Sequence, residues 1–386
     1  MGGTVDVAII GGGVIGLAAA RELGRSGVER VVVLERDPAT GQEASSRANG
    51  GFRAQFTTKP NIEFSLFSIG ELERMAVDHG DLLSFHQLGY LFVAGTEEGE
   101  RSLRTAAALQ RELGVDTRWL QPDEVLERVP LLRPDGIRGA TFHARDGFLD
   151  PHGLVSALRA EAREAGVAIE TDADVTGIRR ISGGGYEVDT GAGSFQARWV
   201  VDAAGADARD VGRLVGVDLP VEPVRRNAAY FHDPTGDRTL IPMCVDVDTG
   251  VLVRRDESGG FLVHYADPND GPTRETSFDP RFLEALAERI GNRFPFLESC
   301  PLDDGQCWAG LYPETPDHHA IIGEAPDAAG FVIAAGFGGH GVMHAPAAGR
   351  AVAEIVTLGR CETFDLTPLR PGRFDEGDLV TEMAVL

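Results

Sequence analysis

The sequence predicts an α/β fold in which a doubly wound nucleotide-binding domain is interrupted by a second, β-rich α+β domain. Three observations predict it. A strand–turn–helix–strand unit opens the chain over residues 5–35. Buried strand patterns ending in small residues return at 199–205 and 331–336, the later one leading into a helix. Between 167 and 265 the pattern is mostly strand, with Gly and Asp turns. Alternating helices and buried strands at both ends, around a strand-rich middle, give this architecture. The expected boundaries are 1–85, 150–215 and 325–365 for the nucleotide domain, 86–149 and 216–324 for the second domain, and 366–386 for a C-terminal tail.

Each element follows from its residues. Residues 5–10, VDVAII, form a short β-rich run. A glycine turn follows, Gly11 to Gly16, and residues 17–23 have helical spacing. Ser26-Gly27 stops that helix, and residues 31–34 make a second buried strand closed by Glu35. Asp150-Pro151 reads as an N-cap with proline at the first helical position, ahead of Leu154, Val155, Leu158 and Ala162. Asp279-Pro280 repeats the device before Phe282, Leu286 and Ile290. The last helix is expected after Gly338-Gly339-His340-Gly341, with Pro346 in its first turn, and runs through Val352 and Ile355. No internal repeat is present.

A chain of 386 residues suits two or three domains, and 42% hydrophobic with 25% charged residues is an ordinary globular composition. No run approaches the roughly 18 apolar residues of a membrane span. The net charge of −24 argues against a nucleic-acid partner, because an acidic surface repels phosphates. Lys59 is the only lysine, which removes a catalytic option considered below. Cys244, Cys300, Cys307 and Cys361 form no C-x-x-C and read as reduced thiols, consistent with an expected cytoplasmic location. The neighbouring His318 and His319 project differently and lack a third ligand at a suitable spacing, so no metal site is expected.

The turn carries chemistry. Gly11-x-Gly13-x-x-Gly16 lies between a strand and a helix, and Glu35 ends the next strand 19 residues after Gly16. Gly11 permits the tight turn, Gly13 lets a pyrophosphate approach the backbone, and Gly16 lets the helix lie close. The helix N-terminus offers free N–H groups to phosphates. Glu35 suits the ribose hydroxyls of an adenosine and would repel the 2′-phosphate of NADP. A fingerprint at residue 11 favours FAD over NAD.

Three further segments resemble the D-amino-acid-oxidase-like flavoprotein family, in particular its branch of sarcosine oxidase, glycine oxidase and the β subunits of sarcosine oxidase and proline dehydrogenase. They are residues 44–53 (ASSRANGGFR), 200–206 (VVDAAGA), and 310–319 (GLYPETPDHH) followed by 335–341 (AGFGGHG). The resemblance implies a Rossmann-like, glutathione-reductase-like FAD domain. It implies cofactor contacts at Gly11, Gly13, Val14, Ile15, Gly16, Glu35, Arg36, Ser45, Ser46, Arg47, Gly50, Gly51, Val175, Ala204, Gly205, Gly310, Gly339, His340, Gly341, Val342 and Met343. Arg53, Tyr312 and His340 match positions facing substrate or flavin. A helix start at 338–341 would stabilise the negative charge of reduced flavin.

Three departures matter. Gly310 stands where covalently flavinylated members carry the attachment cysteine, so non-covalent FAD is expected. Met343 stands where sarcosine oxidase anchors its substrate carboxylate with a lysine, so either Arg53 or another arginine takes the anion or the substrate is less acidic than sarcosine. Leu262 matches the oxygen-activating lysine, with His264 as the only nearby cation of its segment, so a dye or quinone is expected to serve better than air. The function implied is FAD-dependent oxidation of the C–N bond of an amine or amino acid, such as an N-methyl, proline-like or glycine-like substrate. The electron acceptor is oxygen, a quinone or a partner flavoprotein, and a hetero-oligomer is compatible with the branch. An FAD-dependent dehydrogenase of a 2-hydroxy acid or polyol phosphate, with His340 or His264 as base, is one alternative. A non-catalytic flavin-binding partner or assembly factor is another.

Overall fold

Apolar side chains leave both faces of the opening strand, Gly3–Ile10. Val7 and Ile9 join one core, while Ala8 and Ile10 join another. Neighbouring strands repeat the pattern, with Val33 against Val32 and Val201 against Val200. Strands buried on both faces need a layer on each side, which is the signature of a parallel sheet. The computed structural model describes residues 2–191, 193–267 and 269–384, and has this arrangement.

The main sheet runs in the spatial order Ile321–Glu324, Phe331–Ala335, Gly193–Asp202, Gly3–Ile10, Val31–Leu34, Ala168–Glu170. Along this path the pairings are parallel except that between Ile321–Glu324 and Phe331–Ala335; two further strands, Tyr186–Thr190 and Val175–Arg180, add to Gly193–Asp202 as an antiparallel extension. The strand Ile321–Glu324 therefore belongs to this sheet, although the boundary drawn above at 324 leaves it in the second domain. One face is covered by the helices Val14–Arg25, Pro151–Glu164 and Gly341–Leu358. The first and last of these touch backbone to backbone: a Cβ on Gly349 would lie 2.6 Å from the Ala18 carbonyl oxygen.

The last helix corrects one expectation. It begins at Gly341 after a short 3-10 turn, Gly338–His340, so Pro346 lies in the second turn and interrupts the hydrogen-bond ladder. Burial of Ala345, Ala347, Ala348 and Ala351 on the neighbouring helices holds the helix together across that gap. Asp279 also differs slightly. The helix it serves starts at Arg281, whose N–H donates to Asp279 Oδ1, and Pro280 takes the cap position. The helices Lys59–His79 and Glu97–Glu112 complete the layers; the sequence reading assigned neither.

The second sheet is ordered Trp308–Glu314, Glu222–Phe231, Phe261–His264, Val251–Arg255, Met243–Asp246, Tyr90–Ala94, Gly139–His143, Arg118–Leu120. Alternation sorts its side chains. Ala229, Val263, Val253, Cys244 and Leu91 pack on the helix Arg281–Ile290 in one core. The opposite face presents Tyr312, Arg226, His264, Leu262, Arg254, Tyr90 and Phe92, as the cross-strand register requires. No helix among the described residues is long and apolar enough to cross a membrane.

Candidate active site

The glycine turn builds the first part of the site. Gly11 has φ +105°, which favours glycine, and a Cβ there would collide with the Ala203 carbonyl. A Cβ on Gly16 would collide with the Gly11 carbonyl. Gly13 differs: only Ser45 Oγ, at 3.1 Å, lies within reach of its Cβ position. Two of the glycines therefore shape the turn, and Gly13 leaves space over it. Glu35 braces the loop by accepting from Gly12 N (2.7 Å) and Asp37 N (2.9 Å), and burial pushes its carboxyl above the ordinary range. Each carboxylate oxygen keeps a further lone pair for a ribose hydroxyl.

These residues face a cavity of about 350 Å³ lined by Gly11, Gly13, Glu35, Arg36, Ser45, Val175, Ala204 and Gly205. All eight were named from sequence. Space over Gly13, a helix N-terminus and a carboxylate at the strand end fit the pyrophosphate and adenosine ribose of FAD. Val14 offers its backbone N–H to Ser45 Oγ at 3.1 Å, whereas the side chains of Val14, Ile15, Val342 and Met343 are buried in the main core. Ser46 turns back to its own loop, bonding Gln42 O at 2.9 Å.

The remaining residues converge between the two sheets. Arg47 reaches Ala309 O (3.0 Å), and its Cβ is 3.1 Å from where a Cβ on Gly310 would stand. Gly50 and Gly51 bring the loop under Tyr90, whose hydroxyl would collide with a Cβ on Gly51. Gly339 abuts the Tyr312 ring in the same way, and Gly341 starts the helix beside it. Burial pushes the Tyr312 hydroxyl up to about 12. His340 meets Phe56 edge-on at 4.9 Å and lies 5.7 Å from His344.

Arg53 is 1% exposed and has no ion-pair partner among the described residues. Its guanidinium lies 3.9 Å from the centre of the Phe56 ring and donates to the carbonyls of Gln55 and Ala384, both at 2.5 Å. A buried cation satisfied only by neutral carbonyls keeps its charge available for an anion.

Sequence reasoning missed several members. Asn49 Nδ2 lies 2.7 Å from His264 Nε2, and Ser65 Oγ lies 3.0 Å from His344 Nε2. Arg254 stands opposite Leu262 across the strand ladder, and its Nε has no partner among the described residues. The segment of Leu262 itself offers only His264, as expected, but strand register brings in an arginine from the neighbouring strand, eight residues away. Arg226, on the same face, is paired with Asp270 at 3.0 Å.

Three site histidines, His264, His340 and His344, are held towards the neutral form. Burial pushes His264 down to about 4, with Arg226 adding to it, and pushes His340 and His344 well below the ordinary value. Groups whose folded values are depressed take up protons more readily when unfolded. Stability contributed by their neutrality is present above an unfolded value of about 6.5 and is lost as pH falls. The melting temperature should therefore drop steadily from pH 6.5 to 4.5, as read by differential scanning calorimetry. A flat profile there would contradict the burial of these three rings.

A family model described as "FAD dependent oxidoreductase" matches residues 6–355. The chain belongs to this family. Its fold is that of the family, and FAD is its cofactor. The chain is 31% identical to FAD-dependent oxidoreductase domain-containing protein 1 of Xenopus laevis, over 96% of this chain and 82% of the relative. It is 32% identical to glycine oxidase of Geobacillus kaustophilus, over 94% and 95%. The crystal structure of L-proline dehydrogenase from P. horikoshii superposes with a TM-score of 0.91, at 29% identity over 98% of this chain and 100% of that one. This flavoenzyme thus sits among amino-acid oxidoreductases, and its Arg53, Tyr312 and His340 lie on the surfaces that face each other between its two sheets.

Proposed function

We propose that this flavoenzyme oxidises the C–N bond of an amino acid or carboxylate-bearing amine, with FAD held non-covalently. The observation that carries the reading is Arg53, a buried guanidinium that has no carboxylate within ion-pair distance among the described residues and is bonded only to main-chain carbonyls, with Glu382 and Asp146 acting on it through space. Arg53 takes the substrate carboxylate in bidentate fashion. Bound FAD supplies the hydride acceptor. The amine reacts as the free base, whose lone pair assists loss of hydride from the adjoining carbon, and the imine then hydrolyses in water. The low-dielectric surroundings of Phe56, Phe92 and Tyr90 favour that neutral form over the ammonium. No protein base is required.

Oxidation of a 2-hydroxy acid would need a base for the hydroxyl proton, with a pKa near the working pH. His264, held at about 4, and His340, held lower than usual, are poor candidates. The names of the glycine oxidase and proline dehydrogenase relatives agree with the amine reading. The test is anaerobic bleaching of the flavin by glycine, proline and N-methyl amino acids, set beside lactate and glycerol 3-phosphate. Reduction by an amine alone is expected; reduction by a hydroxy compound alone overturns the reading.

Non-covalent attachment rests on the thiols. Gly310 offers none. Cys307 donates to Asp303 O at 3.3 Å, and burial raises its thiol above the ordinary value, as it does for Cys244, Cys300 and Cys361. Raised thiols are poor nucleophiles. Acid precipitation should release all the flavin to the supernatant; yellow colour remaining in the pellet would show a covalent bond.

A further inference from the structure

Arg53 is covered by the end of the described chain. Residues 379–384 form a strap fixed by one carboxylate. Glu382, buried, accepts from Thr57 N (2.9 Å), Thr57 Oγ1 (2.5 Å), Thr58 Oγ1 (2.7 Å) and Asn61 Nδ2 (3.1 Å). Its own N–H donates to Asp317 O at 3.1 Å. Either side of this latch the strap packs poorly: Met383 is 76% exposed, and Leu379 and Val380 are also exposed. Beyond it, the Ala384 carbonyl takes one arm of the Arg53 guanidinium.

The strap also walls a cavity of about 470 Å³ whose lining includes Gln55, Phe92, Leu103, Val245, Met383 and Ala384. Gln55 is buried, and its amide orientation is fixed. Nε2 donates to Tyr90 O and to Asp146 Oδ2, each at 3.0 Å, and neither of those oxygens can donate. Its Oε1 has no partner among the described residues. An acceptor and a cation thus stand two residues apart in one loop: Arg53 donates to the main-chain oxygen of Gln55 itself. A buried acceptor without a partner is costly, so the position favours a bound donor.

We propose that the Ala384 carbonyl is a stand-in for the substrate carboxylate. Substrate arriving through the cavity displaces the strap from Arg53 and gives an N–H of its amine to Gln55 Oε1. The proposal rests on the reading that Arg53 holds a carboxylate, and adds the amine contact and the resting occupant. The apolar wall of Phe92, Leu103 and Val245 gives room for a substituent larger than that of glycine.

Two probes that lack an α-hydrogen, and so cannot be oxidised, test it by titration calorimetry of the FAD-loaded protein. They are 2-aminoisobutyrate and its isostere pivalate, in which a methyl replaces the amine. Ending the chain after Asp378 removes the competing carbonyl and leaves the Arg370–Asp378 ion pair in place. Both probes should then bind about tenfold tighter, the scale of one charge-assisted hydrogen bond. Gln55→Met should weaken 2-aminoisobutyrate about tenfold and leave pivalate within about twofold. Unchanged affinities in the shortened chain overturn the strap; equal weakening of both probes by Gln55→Met overturns the amine contact. Failure of both probes to bind any form overturns instead the reading of Arg53 as a carboxylate anchor. Should the shortened chain not hold FAD, hydrogen exchange of the full chain decides. Saturating 2-aminoisobutyrate should speed exchange at the Met383 and Ala384 amides, and no change there refutes the displacement.

Discussion

Gly13→Val should give a folded protein that purifies colourless. The position tolerates a side chain as far as the polypeptide is concerned, since only the hydroxyl of Ser45 lies within reach of a Cβ. The two methyls of valine instead fill the space over the turn, where a pyrophosphate must approach the backbone N–H groups. Loss of the ligand also removes its linked stability, about 2.7 kcal/mol at a hundredfold excess over Kd. Flavin absorbance per chain and far-ultraviolet circular dichroism separate the two effects. Gly16→Ala makes the contrast, because its Cβ collides with the Gly11 carbonyl and should cost fold and flavin together. A yellow Gly13→Val protein would move the cofactor away from this turn.

Arg53→Met should lower kcat/KM for an amino-acid substrate by about a hundredfold or more, the cost of a lost charge-assisted pair in a buried site. Stability should move the other way. The guanidinium is buried without a direct ion pair and rests on Phe56; desolvation outweighs the pull of Glu382 and Asp146 through space, so an apolar chain of similar length relieves a net cost. Arg53→Lys should not restore the rate, because an ammonium cannot reproduce the fork that spans two acceptors. Steady-state kinetics and thermal melts of the two variants check both directions. A variant that keeps its rate would remove Arg53 from the site.

The parts of this protein that were legible in its sequence are those whose causes are local. The glycine turn, Glu35 and the Asp150–Pro151 cap depend on neighbours within one strand–helix unit, and they stand where residue chemistry puts them. Arg53, Tyr312 and His340 were reached by resemblance alone. What escaped was set by register and by long closures. Arg254 meets Leu262 only because two strands pair in one particular alignment. Asn49 and His264 are 215 residues apart, and Asn61 and Glu382 are 321 apart. Pro346 shows a local rule losing to packing: its preference for a first turn is overridden by a helix wedged against two others.

The backbone contact between Ala18 and Gly349 has a consequence for how the protein is made. The first helix of the nucleotide domain rests on the last, and the opening strand sits inside a sheet whose neighbour at Gly193–Asp202 is synthesised much later. At about 5–20 residues per second, a ribosome needs on the order of 15–70 s to deliver the roughly 330 residues between those two contacts. The glycine turn has no floor until Gly193–Asp202 and Ala203 emerge, and its apolar helix stays only partly covered until Gly341–Leu358 follows. The cradle for the flavin is therefore complete only once the last helix has been made, and until then the N-terminal unit carries apolar surface that the finished fold buries.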